Sequence, residues 1–162
     1  MATKTKYDTT LTLPSDREIL MTRKFEAPRE IVWEAITDPN LIPKWWGFAR
    51  DATEVKKMDV RPGGEWQFIT RTSGGEVVDF HGEYREVLAP ERLVYTFLVG
   101  DMQPGDGFVE ITLVEKGGVT ELRDRGVFNS KEERDAVIAT GMEAGARETY
   151  ERLAELLATL TA

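Results

Sequence analysis

The 162-residue chain carries 21 Lys and Arg against 29 Asp and Glu, a net charge of −8, with 41% hydrophobic and 31% charged residues. This balance suits one soluble globular domain with a substantial core, and the acid excess with no basic stripe argues against nucleic acid as a partner. Without cysteine and with His81 as its one histidine, the sequence excludes disulfides, thiolate nucleophiles, Cys-ligated metals and multi-His metal sites, and no cofactor is expected.

Residues 1–16 read as a partly disordered tail, rich in Thr and Lys, without the apolar stretch of a signal peptide. Leu11 and Leu13 alternate with threonines there and could extend a strand. No apolar run approaches the roughly 20 residues of a membrane span, so a cytoplasmic protein is expected. Residues 17–162 read as a single domain. Arg17–Phe25 alternates Ile19, Met21, Arg23 and Phe25 against polar neighbours, a first strand. Ala27-Pro28 then opens a helix with Ile31, Val32, Ala35 and Ile36 on one face, proline suiting the first helical position. Asp38-Pro39 opens a second short helix with Leu41, Ile42, Trp45 and Trp46, ended by Gly47.

Six strand-like segments follow, at Ala52–Val60, Glu65–Thr72, Glu76–Leu88, Leu93–Val99, Phe108–Glu115 and Val119–Phe128, separated by turn residues. Such tight connections imply antiparallel pairing, since parallel neighbours need a crossover. Lys116-Gly117-Gly118 is the strongest hairpin signal. Ser130 with Glu133 fits a capping box, and about 30 proline-free residues then predict one helix of roughly 45 Å. Val137, Ile138, Met142, Tyr150, Leu153, Leu156, Leu157 and Leu160 give it a stripe facing the sheet. Gly141 and Gly145, one turn apart, read either as close packing against a bulky sheet residue or as room for a ligand. The predicted fold class is α+β, a curved antiparallel sheet of about six or seven strands around a long C-terminal helix, with two short helices after the first strand.

Phe25–Gly47 (FEAPREIVWEAITDPNLIPKWWG) and Phe80–Phe97 (FHGEYREVLAPERLVYTF) resemble the opening and central hairpin of bacterial START-like proteins in the heat-shock-protein-90 ATPase activator homologue family. Phe128–Ala158 resembles the last helix of one bacterial branch. The resemblance implies a helix-grip fold with a cavity for a small hydrophobic ligand. It carries two alternatives: a co-chaperone-like module acting on a heat-shock-protein-90 ATPase, and a cyclase or hydrolase acting on an aromatic or polyketide-like substrate. The sequence leaves monomer and homodimer both open.

Trp45 and Trp46 match the family's WWG motif, where adjacent indoles anchor a helix and cover a pocket mouth or stack on an aromatic ligand. Trp66, Phe68, Val78, Phe80, Tyr84, Tyr95 and Phe97 occupy alternating strand positions that face the long helix, as core or, if the sheet is strongly curved, as cavity lining. Met142 is the helix residue expected to look into that space, and Asp124 points inward if Leu122 does. The cavity candidates are therefore Trp46, Trp66, Phe68, Phe80, Tyr84, Tyr95, Phe97, Asp124 and Met142, with no catalytic residue assigned. His81 is expected on the opposite face from Phe80, towards solvent. Asp79, Glu83 and Glu86 are expected to form cross-strand ion pairs with Arg85, Arg92, Arg123 and Arg125.

Overall fold

The computed structural model of the chain describes residues 6–162; residues 1–5 of the expected tail lie outside the described residues. Strand β1 (Thr10–Thr12) comes from the leading segment and pairs antiparallel with β2 (Glu18–Phe25), Leu11 opposite Met21. The period-2 pattern of β2 buries Ile19, Met21, Arg23 and Phe25 on one face. A buried guanidinium needs a partner, and Arg23 donates to Glu151 at 3.1 Å while lying 5.5 Å from the Phe25 ring.

Pro28, expected at the first helical position, is instead the N-cap of α1 (Arg29–Thr37), one residue earlier, and Val32, Ala35 and Ile36 face the core. Helix α2 is one turn, Ile42–Trp45, and the chain leaves it through Gly47 at φ +78°. Trp45 Nε1 donates to the Ala35 carbonyl at 2.9 Å, which locks α2 on α1.

Strands β3 (Ala52–Met58), β4 (Glu65–Arg71), β5 (Val77–Leu88), β6 (Arg92–Tyr95), β7 (Leu98–Val99), β8 (Phe108–Lys116) and β9 (Val119–Val127) complete an antiparallel sheet ordered β1-β2-β9-β8-β6-β5-β4-β3, with β7 paired to β5. Among the described residues the sheet has nine strands rather than six or seven. One extra strand is β1; the other arises because the Leu93–Val99 run splits at Thr96-Phe97. There the Thr96 backbone N–H donates to the Glu83 carbonyl at 2.9 Å, and the Thr96 carbonyl crowds so close to Gly82 that an added Cβ would lie 2.0 Å away. A register shift between Tyr84 and Glu86 adds a bulge at Arg85, and another leaves Lys56 without a partner on β4. Bulges of this kind bend and twist a sheet.

The outer face carries a chain of ion pairs across five strands: Glu18–Arg125 at 2.9 Å, Arg125–Glu110 at 3.0 Å, Glu110–Arg92 at 2.5 Å and Arg92–Glu86 at 3.0 Å. Cross-strand pairing thus holds for Glu86, Arg92 and Arg125. Arg123 instead pairs with Glu121 on its own strand, and Asp79 with His81 at 3.2 Å. Glu83 and Arg85 make no ion pair among the described residues.

The capping box forms as predicted, Glu133 N donating to Ser130 Oγ at 3.1 Å. The single 30-residue helix does not. Helix α3 spans Lys131–Ala139 and α4 spans Met142–Leu160, because Gly141 adopts φ +81° and so ends one helix and starts the next. Left-handed backbone is natural for glycine at a helix end. The long helix keeps 19 residues, about 28 Å at 1.5 Å each; Tyr150, Leu153 and Leu157 are its buried stripe. Among the described residues, no helix is long and apolar enough to cross a membrane.

Candidate functional site: a cavity between sheet and helix

The concave sheet face and α4 do not close on each other. Between them lies a cavity of about 620 Å³, lined by residues of β2, α1, α2, β3, β4, β5, β6, β7, β8, β9, α3 and α4. All the sequence-derived candidates line it: Trp46, Trp66, Phe68, Phe80, Tyr84, Tyr95, Phe97, Asp124 and Met142. Val78 does not. His81 and Asp79 also lie outside, on the reverse side of β5 from Phe80. The exposed residues Met102, Gln103, Gly105, Asn129 and Thr140 line it as well, so the cavity reaches solvent beside the 100–107 loop.

One wall is aromatic. The Trp46 ring lies 6.3 Å from Trp66, 4.9 Å from Phe68, 5.9 Å from Phe80 and 6.3 Å from Phe97, mostly edge to face. These are the separations at which ring quadrupoles attract. Trp66 Nε1 is satisfied by the Thr96 carbonyl at 3.1 Å, so the wall itself has no stray donor there. The two indoles of the WWG segment divide their work: Trp45 anchors helix to helix, and Trp46 forms the wall.

Trp46 is held from behind by α4. Arg152 donates to the Trp46, Gly47 and Lys44 carbonyls at 3.1, 2.8 and 3.1 Å, and Glu148 accepts from Ala49 N at 2.8 Å. Gly145 lets Phe48 approach: an added Cβ would stand 3.3 Å from Phe48 Cζ. Gly145 also lines the cavity, and the bulky residue packed against it is Phe48 of the α2–β3 connection rather than the expected sheet residue.

The other wall is polar. Asp124, on β9, accepts a 2.5 Å hydrogen bond from the Tyr150 hydroxyl of α4. Tyr84 and Tyr95 complete the group, their rings 6.2 Å apart and Tyr95 only 5.7 Å from Trp66. Asp124 and Tyr95 keep part of their surface accessible, and that surface faces the cavity. Removal from bulk water raises the Asp124 carboxyl to about 6, against a smaller opposing effect from the Tyr150 hydrogen bond. Burial likewise raises Tyr84, Tyr95 and Tyr150, with the Asp124 charge adding to the last two. Tyr150 escaped the sequence reading because it falls on an aliphatic helix stripe; its phenolic tip among leucines was the available signal.

Around the mouth, Asn129 Oδ1 accepts from the Asp106 and Gly107 backbone N–H groups at 2.5 and 3.1 Å, and its Nδ2 donates to Glu133 at 2.9 Å. This one side chain ties the 100–107 loop to the start of α3.

The sequence profile of the "Activator of Hsp90 ATPase homolog 1-like protein" family matches residues 26–158. A crystal structure of a Rhodobacter sphaeroides protein superposes with a TM-score of 0.85 at 25% identity, over 94% of this chain and 99% of that one. Protein Ms6760 from Mycobacterium smegmatis gives 0.85 at 24% identity, over 93% and 98%. DynU16, a protein in the dynemicin biosynthetic locus, gives 0.67 at 25% identity, covering 90% of this chain and 48% of its own. No curated protein matches the sequence.

Proposed function

The chain belongs to the Activator of Hsp90 ATPase homolog 1-like family, with its START-like helix-grip fold, and we propose that it acts as a non-catalytic domain that binds a small hydrophobic molecule between the sheet and α4. The observation that carries this reading is the cavity itself. Protein interiors normally pack to the density of organic crystals, leaving few voids larger than a water molecule. A space of about 620 Å³ with an aromatic wall and a route to solvent is instead of the size and character of small-ligand sites. An amide NMR titration against fatty acids, sterols, flavonoids and aromatic polyketides tests it. Saturable shifts at Trp46, Trp66, Phe97 and Gly145 are expected; no shift at these residues across the panel overturns it.

The buried Asp124–Tyr150 pair favours a second reading, an enzyme of the cyclase or hydrolase type using that carboxyl for proton transfer. Turnover of an aromatic polyketide that is unchanged by Asp124→Asn and Tyr150→Phe would remove it.

A further inference from the structure

The polar residues of the cavity are unusual in their sign. No Lys, Arg or His is among the described residues that line it, and its charged residues are Asp124 and Glu133 alone. Arg123 and Arg125 flank Asp124 in sequence, but they engage Glu121 on one side and Glu18 with Glu110 on the other. Packed around Asp124 are apolar Met21 of β2 and Ile111 of β8, in register with it, and the phenols Tyr150 of α4 and Tyr95 of β6, with Tyr84 of β5 next to Tyr95 at a ring separation of 6.2 Å. Glu133 of α3 is occupied with Asn129. A ligand carboxylate or phosphate would therefore enter without a counter-ion, beside a carboxyl of its own sign, which is costly in a low-dielectric space.

The hydrogen-bonding capacity at that end is only partly used. Tyr150 occupies Asp124 Oδ2, while Oδ1 and the Tyr84 and Tyr95 hydroxyls have no protein partner among the described residues. These atoms keep surface open to the cavity, where a ligand's polar group can complete their hydrogen bonding. An acceptor oxygen beside phenolic donors matches a hydroxyl group, which donates one hydrogen bond and accepts others. An ammonium group donates only, and would leave both phenols without an acceptor.

We infer that the cavity selects a neutral, apolar ligand bearing a hydroxyl group, with the hydroxyl seated among Asp124, Tyr95 and Tyr84 and the apolar body against Trp46, Trp66 and Phe97. This rests on the ligand-binding reading above and names the chemistry of its ligand. Because Oδ1 accepts best when the carboxyl is ionised, binding of the hydroxyl strengthens as pH rises past about 6, the Asp124 value.

Calorimetric titration with naphthalene, 2-naphthol, 2-naphthoate and 2-naphthylmethylamine at pH 7.5 tests the assignment. 2-Naphthol should bind about ten-fold tighter than naphthalene, as expected for one hydrogen bond to a charged group, and 2-naphthoate more weakly than naphthalene. Asp124→Leu should abolish the difference in affinity between 2-naphthol and naphthalene. In the unaltered protein, 2-naphthol affinity should rise between pH 5 and 7.5 while that of naphthalene stays flat, a readout independent of any variant. If naphthalene binds but 2-naphthol gains nothing, or the naphthoate or amine outranks it, the hydroxyl assignment fails and the cavity reading stands. If none of the four binds, both fail.

Discussion

Replacing Asp124 with Asn should stabilise the protein near neutral pH and leave it unchanged at pH 4. The folded carboxyl titrates at about 6 against an ordinary value of 3.8. Between those values the folded state holds a proton that the unfolded chain has released, so stability falls as pH rises through the interval. A difference of about two units corresponds to about 3 kcal/mol at most, and residual contact with cavity water reduces this to roughly 1–3 kcal/mol. Asn keeps a carbonyl oxygen to accept the Tyr150 hydroxyl and cannot ionise. Urea unfolding of both proteins from pH 4 to 7.5 measures the effect, as the difference in unfolding free energy at each pH. Glu18 and Glu110 shift the opposite way, held low chiefly by hydrogen bonds from Ser15 and Arg125 for Glu18, and from Arg125 and Arg92 against the cost of burial for Glu110. Their contribution is present above the ordinary carboxylate range and lost as pH falls through it, equally in both proteins, so it cancels in the difference. A flat difference across the range, or a variant less stable at pH 7.5, would refute the reasoning.

Arg152→Met should cost about 2 kcal/mol by stripping donors from the Lys44, Trp46 and Gly47 carbonyls; the urea midpoint should fall with its slope unchanged. Gly82→Ala should cost about 3 kcal/mol or more, since the new methyl would meet the Thr96 carbonyl at 2.0 Å and Trp66 Nε1 at 2.7 Å. Gly74→Ala, whose nearest neighbour would stand 3.8 Å away, is the matched control in thermal melts.

The elements most open to sequence reading were those set by local chemistry. Alternation in EILMTRKF placed the inward face of β2, and Lys116-Gly117-Gly118 placed the β8–β9 hairpin, both glycines having positive φ. The face alternation of the strand aromatics turned Trp66, Phe68, Phe80, Tyr84 and Tyr95 to the side that lines the cavity. Tertiary geometry hid the rest. The split of the Leu93–Val99 run depends on the Thr96 carbonyl pressing on Gly82, a contact across a hairpin. The helix break at Gly141 depends on a left-handed residue inside a pattern whose periodicity continues on both sides. The partnership of Tyr150 with Asp124 joins residues that only the fold brings together.

The same separation explains how the cavity keeps its shape. Two members of its aromatic wall, Trp46 and Phe97, stand at the ends of short elements, a one-turn α2 and a two-residue β7, which have little stability of their own. Arg152 and Glu148 on the flank of α4 hold the 44–49 segment through its backbone, and Asn129 at the mouth holds the loop that follows β7 through the Asp106 and Gly107 amides. Every non-proline residue offers the same backbone donor and acceptor, so these anchors do not depend on which side chains they position. Substitutions at Trp46, Phe97 and Met102 therefore change the lining of the cavity while leaving the backbone clamp, the sheet and α4 in place.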